Sequence, residues 1–278
     1  MSGRPAEAVA AAYREACRAE LRALKPGNVH AFADGHRMTV ADFERSADAS
    51  AGPLARAGAR VGERVLGAVR ATVERVGTNT NLGIVLLCAP LAAAAERGGA
   101  DLRAGLGAVL GGLDRADAEA VYAAIRLAAP AGLGTVPDHD VRAGADADLL
   151  TAMRAASAHD RIARAYATGF EDVFTVGFEA LAAARRRGLD RDWCTSAVYL
   201  AYLAAIPDTH IRRKYGPERA EAVRAEAAAL VRSLDLAQAP VDRLLAFDRD
   251  LKEGGLNPGT SADFTVATLF ADALKSSP

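Results

Sequence analysis

Six short polar segments carry side chains whose types and spacing could do chemistry. Lys25-Pro26-Gly27-Asn28-Val29-His30 sets a tight turn bearing an ammonium, a carboxamide and an imidazole, a group able to hold a phosphate. Gly77-Thr78-Asn79-Thr80-Asn81-Leu82-Gly83 opens an apolar helix with alternating hydroxyls and carboxamides. Free N–H groups at a helix start suit an anion or the polar edges of a nucleotide. A cap needs one such residue, so four of them (Thr78, Asn79, Thr80, Asn81) point to binding. Glu74, just ahead, brings a carboxylate to the same end. Pro137-Asp138-His139-Asp140 falls in a long loop. His159-Asp160-Arg161 is read inside a helix, with Arg164 one turn on from Asp160. Pro207-Asp208-Thr209-His210-Ile211-Arg212-Arg213-Lys214 follows one acid with a histidine and three cations. That is the equipment of a metal–triphosphate site, Asp208 taking Mg²⁺ and the cations taking phosphate oxygens. In Asn257-Pro258-Gly259-Thr260-Ser261-Ala262-Asp263, Thr260 or Ser261 caps the last helix and Asp263 lies in its first turn. All five histidines (His30, His36, His139, His159, His210) fall in or beside these segments.

The elements that position them are helices. The chain has 278 residues, 51% hydrophobic and 5% aromatic, with 66 alanines. Alanine is the best helix former, and a β-sandwich or barrel would need more β-branched and aromatic residues. The expected fold is all-α: a single compact domain over residues 1–278, of about ten to twelve helices around a central apolar helix. Helical periodicity predicts helices over Pro5–Leu24, from Thr39 onward, and over Ala55–Val76, Leu82–Ala95 and Asp114–Ala129. After a Gly/Asp-rich loop, Gly132–Asp146, it predicts Ala147–Thr168, Phe170–Arg187, Asp190–Ile206, Pro217–Ser233, Val241–Lys252 and Ser261–Lys275. Leu82–Ala95 is apolar nearly all round, the mark of an enclosed helix. Loops gathered at one end of such a bundle would surround a cleft.

Charge and cysteine usage exclude several classes. With 34 basic and 35 acidic residues the net charge is -1, which gives no footprint for nucleic acid. Cys17, Cys88 and Cys194 lie far apart in apolar stretches and form neither a disulfide framework nor a zinc site. No segment reads as a signal peptide or a membrane span, which predicts a cytoplasmic protein. An alanine-rich helix face would also serve a homodimer. Only four residues are lysines. Two of them, Lys25 and Lys214, fall in the polar segments, where a compact point charge suits a phosphate.

Five of the segments, in order, resemble the triphosphoribosyl-dephospho-CoA synthase family: Lys25–His30, Gly77–Gly83, Asp160–Phe170, Asp208–His210 and Pro258–Asp263. The resemblance runs from Lys25 to Leu274 and is closer to a branch found in archaea and in bacteria with related one-carbon metabolism. It departs from the well-known bacterial members at Asn81 and Leu82, where they carry His and Lys, and after Asp208-Thr209. The resemblance implies an all-α transferase that takes ATP, expels adenine and joins the triphosphorylated ribose to an acceptor hydroxyl. That acceptor is 3′-dephospho-CoA in the named reaction. Displacement at C1′ passes through an oxocarbenium-like state. Lys25, Arg212, Arg213, Lys214 and a Mg²⁺ on Asp208 or Asp263 would hold the triphosphate, with Asn28, Thr78, Thr80, His210 and Ser261 lining the nucleotide site. Asn79, Asn81 or His30 would assist the leaving adenine, and Glu74, Asp140 or Asp160 would serve as base.

A rival reading takes the two His-Asp dyads, His139-Asp140 and His159-Asp160, as those of a metal-dependent phosphohydrolase acting on a nucleotide or phosphate ester. It leaves the Lys-Pro-Gly and Thr/Asn turns unused. A nucleotide sensor without chemistry would need cations but no clustered carboxylates.

Overall fold

Helix-forming alanine and side-chain caps divide the chain into helices and short turns. The computed structural model describes residues 3–33, 38–99, 101–129 and 140–275. Among the described residues there are 14 α-helices and no named strand. They are α1 (Ala6–Arg22), α2 (Val40–Leu54), α3 (Val61–Val76), α4 (Leu82–Arg97), α5 (Leu102–Gly111), α6 (Arg115–Ala128) and α7 (Leu149–Ala156). Then come α8 (Arg161–Ala167), α9 (Phe178–Arg186), α10 (Arg191–Ala205), α11 (Thr209–Tyr215), α12 (Pro217–Arg232), α13 (Val241–Glu253) and α14 (Gly259–Lys275). A π-helical turn, Val173–Gly177, leads into α9. Contacts gather the chain into two units built from separated stretches. The first is Met1–Glu15, Glu44–Glu171 and Phe270–Pro278, and the second is Ala16–Phe43 with Asp172–Leu269.

In the first unit α4 is enclosed, with Leu82 and every residue from Ile84 to Ala95 buried. α3, α5 and α8 pack on it, and α6 packs on α3. Pro90 sits inside α4 and has no N–H, so the Leu86 carbonyl loses its helical donor. The Tyr166 hydroxyl, from α8, donates to that oxygen at 2.6 Å. A tyrosine of the Asp160–Phe170 segment thus repairs the proline's defect and ties α8 to α4. Tyr166→Phe is expected to cost about 1–3 kcal/mol, the penalty of one unsatisfied buried carbonyl. Pro90→Ala restores the helical donor, so the same change in a Pro90→Ala background should cost less than half as much. Urea titration of the four proteins measures the coupling.

The second unit has its own core. Tyr199, Leu200 and Leu203 of α10 cluster with Ile211, Val223, Ala227, Leu244, Leu251 and Leu256. Gly177, in the π-helical turn, passes against the bonded pair Tyr202 Oη and Thr268 Oγ1, where an added Cβ would lie 2.3 Å from each.

Several boundaries differ from expectation for identifiable reasons. The helix expected from Ala55 begins at Val61, because Arg64 turns back to donate to the carbonyls of Leu54 (2.9 Å) and Ala59 (3.0 Å) and stabilises a break. Ala147–Thr168 is two helices, since the Asp160 carboxylate accepts from the Ala163 N–H at 3.0 Å and starts α8 anew. Asp160 is a cap, not the mid-helix acid expected from the sequence. α5 carries Gly105, Gly107 and Gly111, which hide its periodicity. The last helix begins at Gly259, so Thr260 and Ser261 lie inside it and Asp263 falls beyond the first turn. Thr39 does open α2, its hydroxyl and N–H both donating to Asp42 Oδ2 at 2.8 Å.

Candidate functional site

In the second unit three of the six segments converge. The Lys-Pro-Gly turn follows α1. Gly27 has φ +82°, and a Cβ there would lie 2.8 Å from both Leu251 Cδ1 and Pro258 Cδ, so only glycine fits. The Gly27 N–H donates to Asp248 Oδ1 of α13 at 2.8 Å, and the Tyr199 hydroxyl donates to the Pro26 carbonyl at 2.6 Å. Asn28 accepts from the Lys25 ammonium at 3.0 Å and donates to Asn257 Oδ1 at 2.8 Å, which joins the first segment to the sixth.

Lys25 is fully buried and its ammonium is paired with Glu20. Burial pulls the lysine pKa down against the pull of Glu20, and burial pushes the Glu20 carboxyl up. The sequence places Lys25 on a phosphate, but the fold spends its charge inside the protein. His30 is likewise fully buried. Its Nδ1 accepts from the Phe32 N–H at 3.2 Å, which leaves the proton on Nε2. That nitrogen lies 3.2 Å from Asp248 Oδ1, off the line of a hydrogen bond. Burial lowers the His30 pKa and keeps the ring neutral near pH 7. Burial opposes ionisation of Asp248, but His30, the Gly27 N–H and Lys252 outweigh it and hold its carboxyl below the ordinary value.

Asp208 joins the fifth segment to the sixth. Its Oδ1 accepts from the N–H groups of His210 (2.9 Å) and Ile211 (3.3 Å), which starts α11. Its Oδ2 accepts from the N–H (2.8 Å) and hydroxyl (2.9 Å) of Ser261, in the first turn of α14. Thr209 and Thr260 bond beside it at 3.0 Å. Burial pushes the Asp208 pKa up against these donors. One enclosed carboxylate therefore serves two helix starts, and its lone pairs are occupied. That donor set does not fit a metal ligand. Among the described residues no group of three His, Cys, Asp or Glu could hold a metal ion. His210, Arg212 and Asp263 are half-buried, while Arg213 and Lys214 are exposed, Lys214 over the Tyr215 ring.

The remaining candidates belong to the first unit. Asn79 Oδ1 accepts from the Leu82 N–H at 3.1 Å, although the cap position of α4 is held by Asn81, two residues on. The Thr80 hydroxyl donates to Ser46 at 2.6 Å, and buried Asn81 donates to Ser50 at 3.1 Å. The Asn81 Oδ1 atom meets no protein donor. Glu74 and Thr78 are exposed. Asp140 closes a short turn by accepting from the Arg142 N–H at 2.9 Å. His159 is exposed beside the capping Asp160. His36 and His139 lie outside the described residues.

The comparison with family models decides among these chemistries. The model for ATP:dephospho-CoA triphosphoribosyl transferase matches residues 6–278. The chain belongs to that family. Its reaction is transfer of the triphosphoribosyl group of ATP, so this family member is a transferase and ATP is its substrate. No curated protein matches the chain. A crystal structure from Archaeoglobus fulgidus, described as a triphosphoribosyl-dephospho-CoA synthase, is similar at 23% identity and TM-score 0.65. The match covers 83% of this chain and 97% of that one, and it shows a common fold. The phosphohydrolase reading is not favoured by the family match, and the capping role of Asp160 removes one of its dyads. No single described helix of this transferase family member is long and apolar enough to cross a membrane.

Three residues of this cluster lie outside all six segments: Glu20, Asp248 and Lys252. The scarcity of lysine was a usable signal, but it marked Lys25 and Lys214. In the fold the lysine that accompanies Lys25 is Lys252, which reaches Asp248 Oδ2 and the Ala33 carbonyl, each at 3.1 Å.

Proposed function

We propose that this chain transfers the triphosphoribosyl group of ATP to a hydroxyl of 3′-dephospho-CoA and releases adenine. The observation that carries the reading is the convergence of three polar segments, Lys25–His30, Pro207–Lys214 and Asn257–Asp263, each containing a segment of the family resemblance, in one unit. Arg212, Arg213 and Lys214 are the cations for the triphosphate, for they keep an aqueous face where Lys25 does not. Lys25 acts from beneath: its buried charge orients Asn28 and interacts with Asp263.

Of the five candidate carboxylates, Asp160 and Asp208 are committed to helix starts, Asp140 closes a turn and Glu74 stands in water. Asp263, half-buried and within the field of Lys25, is therefore our choice of base for the acceptor hydroxyl. Magnesium would arrive on the triphosphate and neutralise part of its charge. Both substrates are those of the cytoplasm, where we place the enzyme.

Mass spectrometry of an incubation with ATP and dephospho-CoA tests the reading. Free adenine and an acceptor heavier by one triphosphoribosyl group are expected. Asp263→Asn should lower kcat by about 100-fold or more, the usual scale for a lost general base. Phosphate release without adenine would instead mark a hydrolase.

A further inference from the structure

Asp248 and Lys252 sit one turn apart on α13, a spacing that on most helices gives a solvated ion pair. Here Asp248 is 2% exposed. A buried carboxylate needs donors on its remaining lone pairs. One comes from the segment that follows α1, the Gly27 N–H at 2.8 Å, and the His30 Nε2 lies beside the same oxygen at 3.2 Å. Lys252, bonded to the other carboxylate oxygen, reaches on to the Ala33 carbonyl at 3.1 Å. Ala33 and His30 are in turn paired through both of their backbone groups, at 3.0 and 3.2 Å. Tyr199 and Asn257 each bond one point of the same segment, whereas Asp248 and its lysine bond two, Gly27 and Ala33, and face a third, His30.

We propose that Asp248 is a positioning residue for the transfer: from α13 it sets the Gly27 backbone, the His30 ring and, through Lys252, Ala33, and so places Asn28. This role rests on the function proposed above, since it assigns Asn28 to the nucleotide site. Neither Asp248 nor Lys252 lies in any of the segments that resemble the family. Asp248 acts through the turn and need not touch substrate. The charged groups facing His30 are Asp248, Lys252 and Lys25, so the imidazole reports directly on this arrangement.

Asp248→Asn keeps the shape and removes the charge, and its amide N–H groups then face the Gly27 N–H, the His30 Nε2–H or the Lys252 ammonium. KM for ATP should rise about tenfold, with kcat changed less than about threefold, because the loss is one of ground-state positioning. Amide exchange at Gly27 and Phe32 should speed up about tenfold while α4 is unaffected, and the ¹⁵N imidazole signals of His30 should move. A purely structural role would lower stability and leave KM for ATP in place, and that result would overturn the proposal. Unchanged exchange at both amides, with unchanged His30 signals, would overturn the proposal.

Should Asp248→Asn fail to fold, Lys252→Met decides. It keeps the apolar stem, and it should speed exchange at Ala33 and raise KM by a smaller factor. Wild-type values for both would overturn the proposal equally. Exchange and imidazole signals are read on the protein alone. A wild-type enzyme that releases no adenine would therefore sink the transfer reading without deciding the role of Asp248.

Discussion

Asp208→Asn is expected to lower unfolding stability by about 3–5 kcal/mol and to reduce adenine release by more than about 100-fold. The reason is the double duty of one carboxylate. Four donors meet it, two at the start of α11 and two from Ser261 of α14. Asparagine supplies one acceptor oxygen, so its amide N–H₂ must face donors on the other side. Hydrogen bonds to a charged group contribute about 1.5–3 kcal/mol each, and the buried donors left over cost more. The loosened helix starts would carry His210 and the cations of α11 away from their places. A metal ligand would behave differently: its loss would abolish turnover and leave the urea midpoint unmoved. Measuring both quantities on one variant separates the two roles.

Gly27→Ala is expected to cost about 2–5 kcal/mol and to remove most activity. Two penalties add. An alanine at φ +82° is strained by about 1–2 kcal/mol. Its Cβ would also overlap Leu251 and Pro258, each at 2.8 Å, and overpacking of that kind costs about 1–3 kcal/mol. The turn would have to lift off α13 and give up the Gly27–Asp248 bond. Gly58 is the control, with φ +69° but nothing within 4 Å of an added Cβ. Gly58→Ala should show the strain penalty alone and leave turnover unchanged. Thermal melts and adenine release of the two variants, side by side, isolate the contact with α13. Equal losses in both would refute the packing argument.

Much of this was legible in advance because it is local. Alanine content made the chain helical, and the apolar run Leu82–Ala95 is enclosed as its composition predicts. Thr39, Asp114 and Asp190 open helices because a cap bonds its own neighbours, within a few residues. The ordered segments also pointed to the family that the match over residues 6–278 shows.

Roles that depend on distant partners could not be read this way. From the chain alone Lys25 is a cation in a turn. Only the fold supplies Glu20 and Asn28 around it and takes the ammonium out of water. Asp208 looks like a metal ligand until Ser261, far along the chain, donates to it. Asp160 changed from mid-helix acid to cap for a lesser reason, a helix break that alanine periodicity cannot reveal. Sequence by itself determined the class of the scaffold and its family, since those follow from composition, local capping and motif order. Tertiary structure alone decided which charges in those segments are spent inside the protein and which face water. Burial and long-range donors set the energy of a charge, and neither is written in its immediate neighbours.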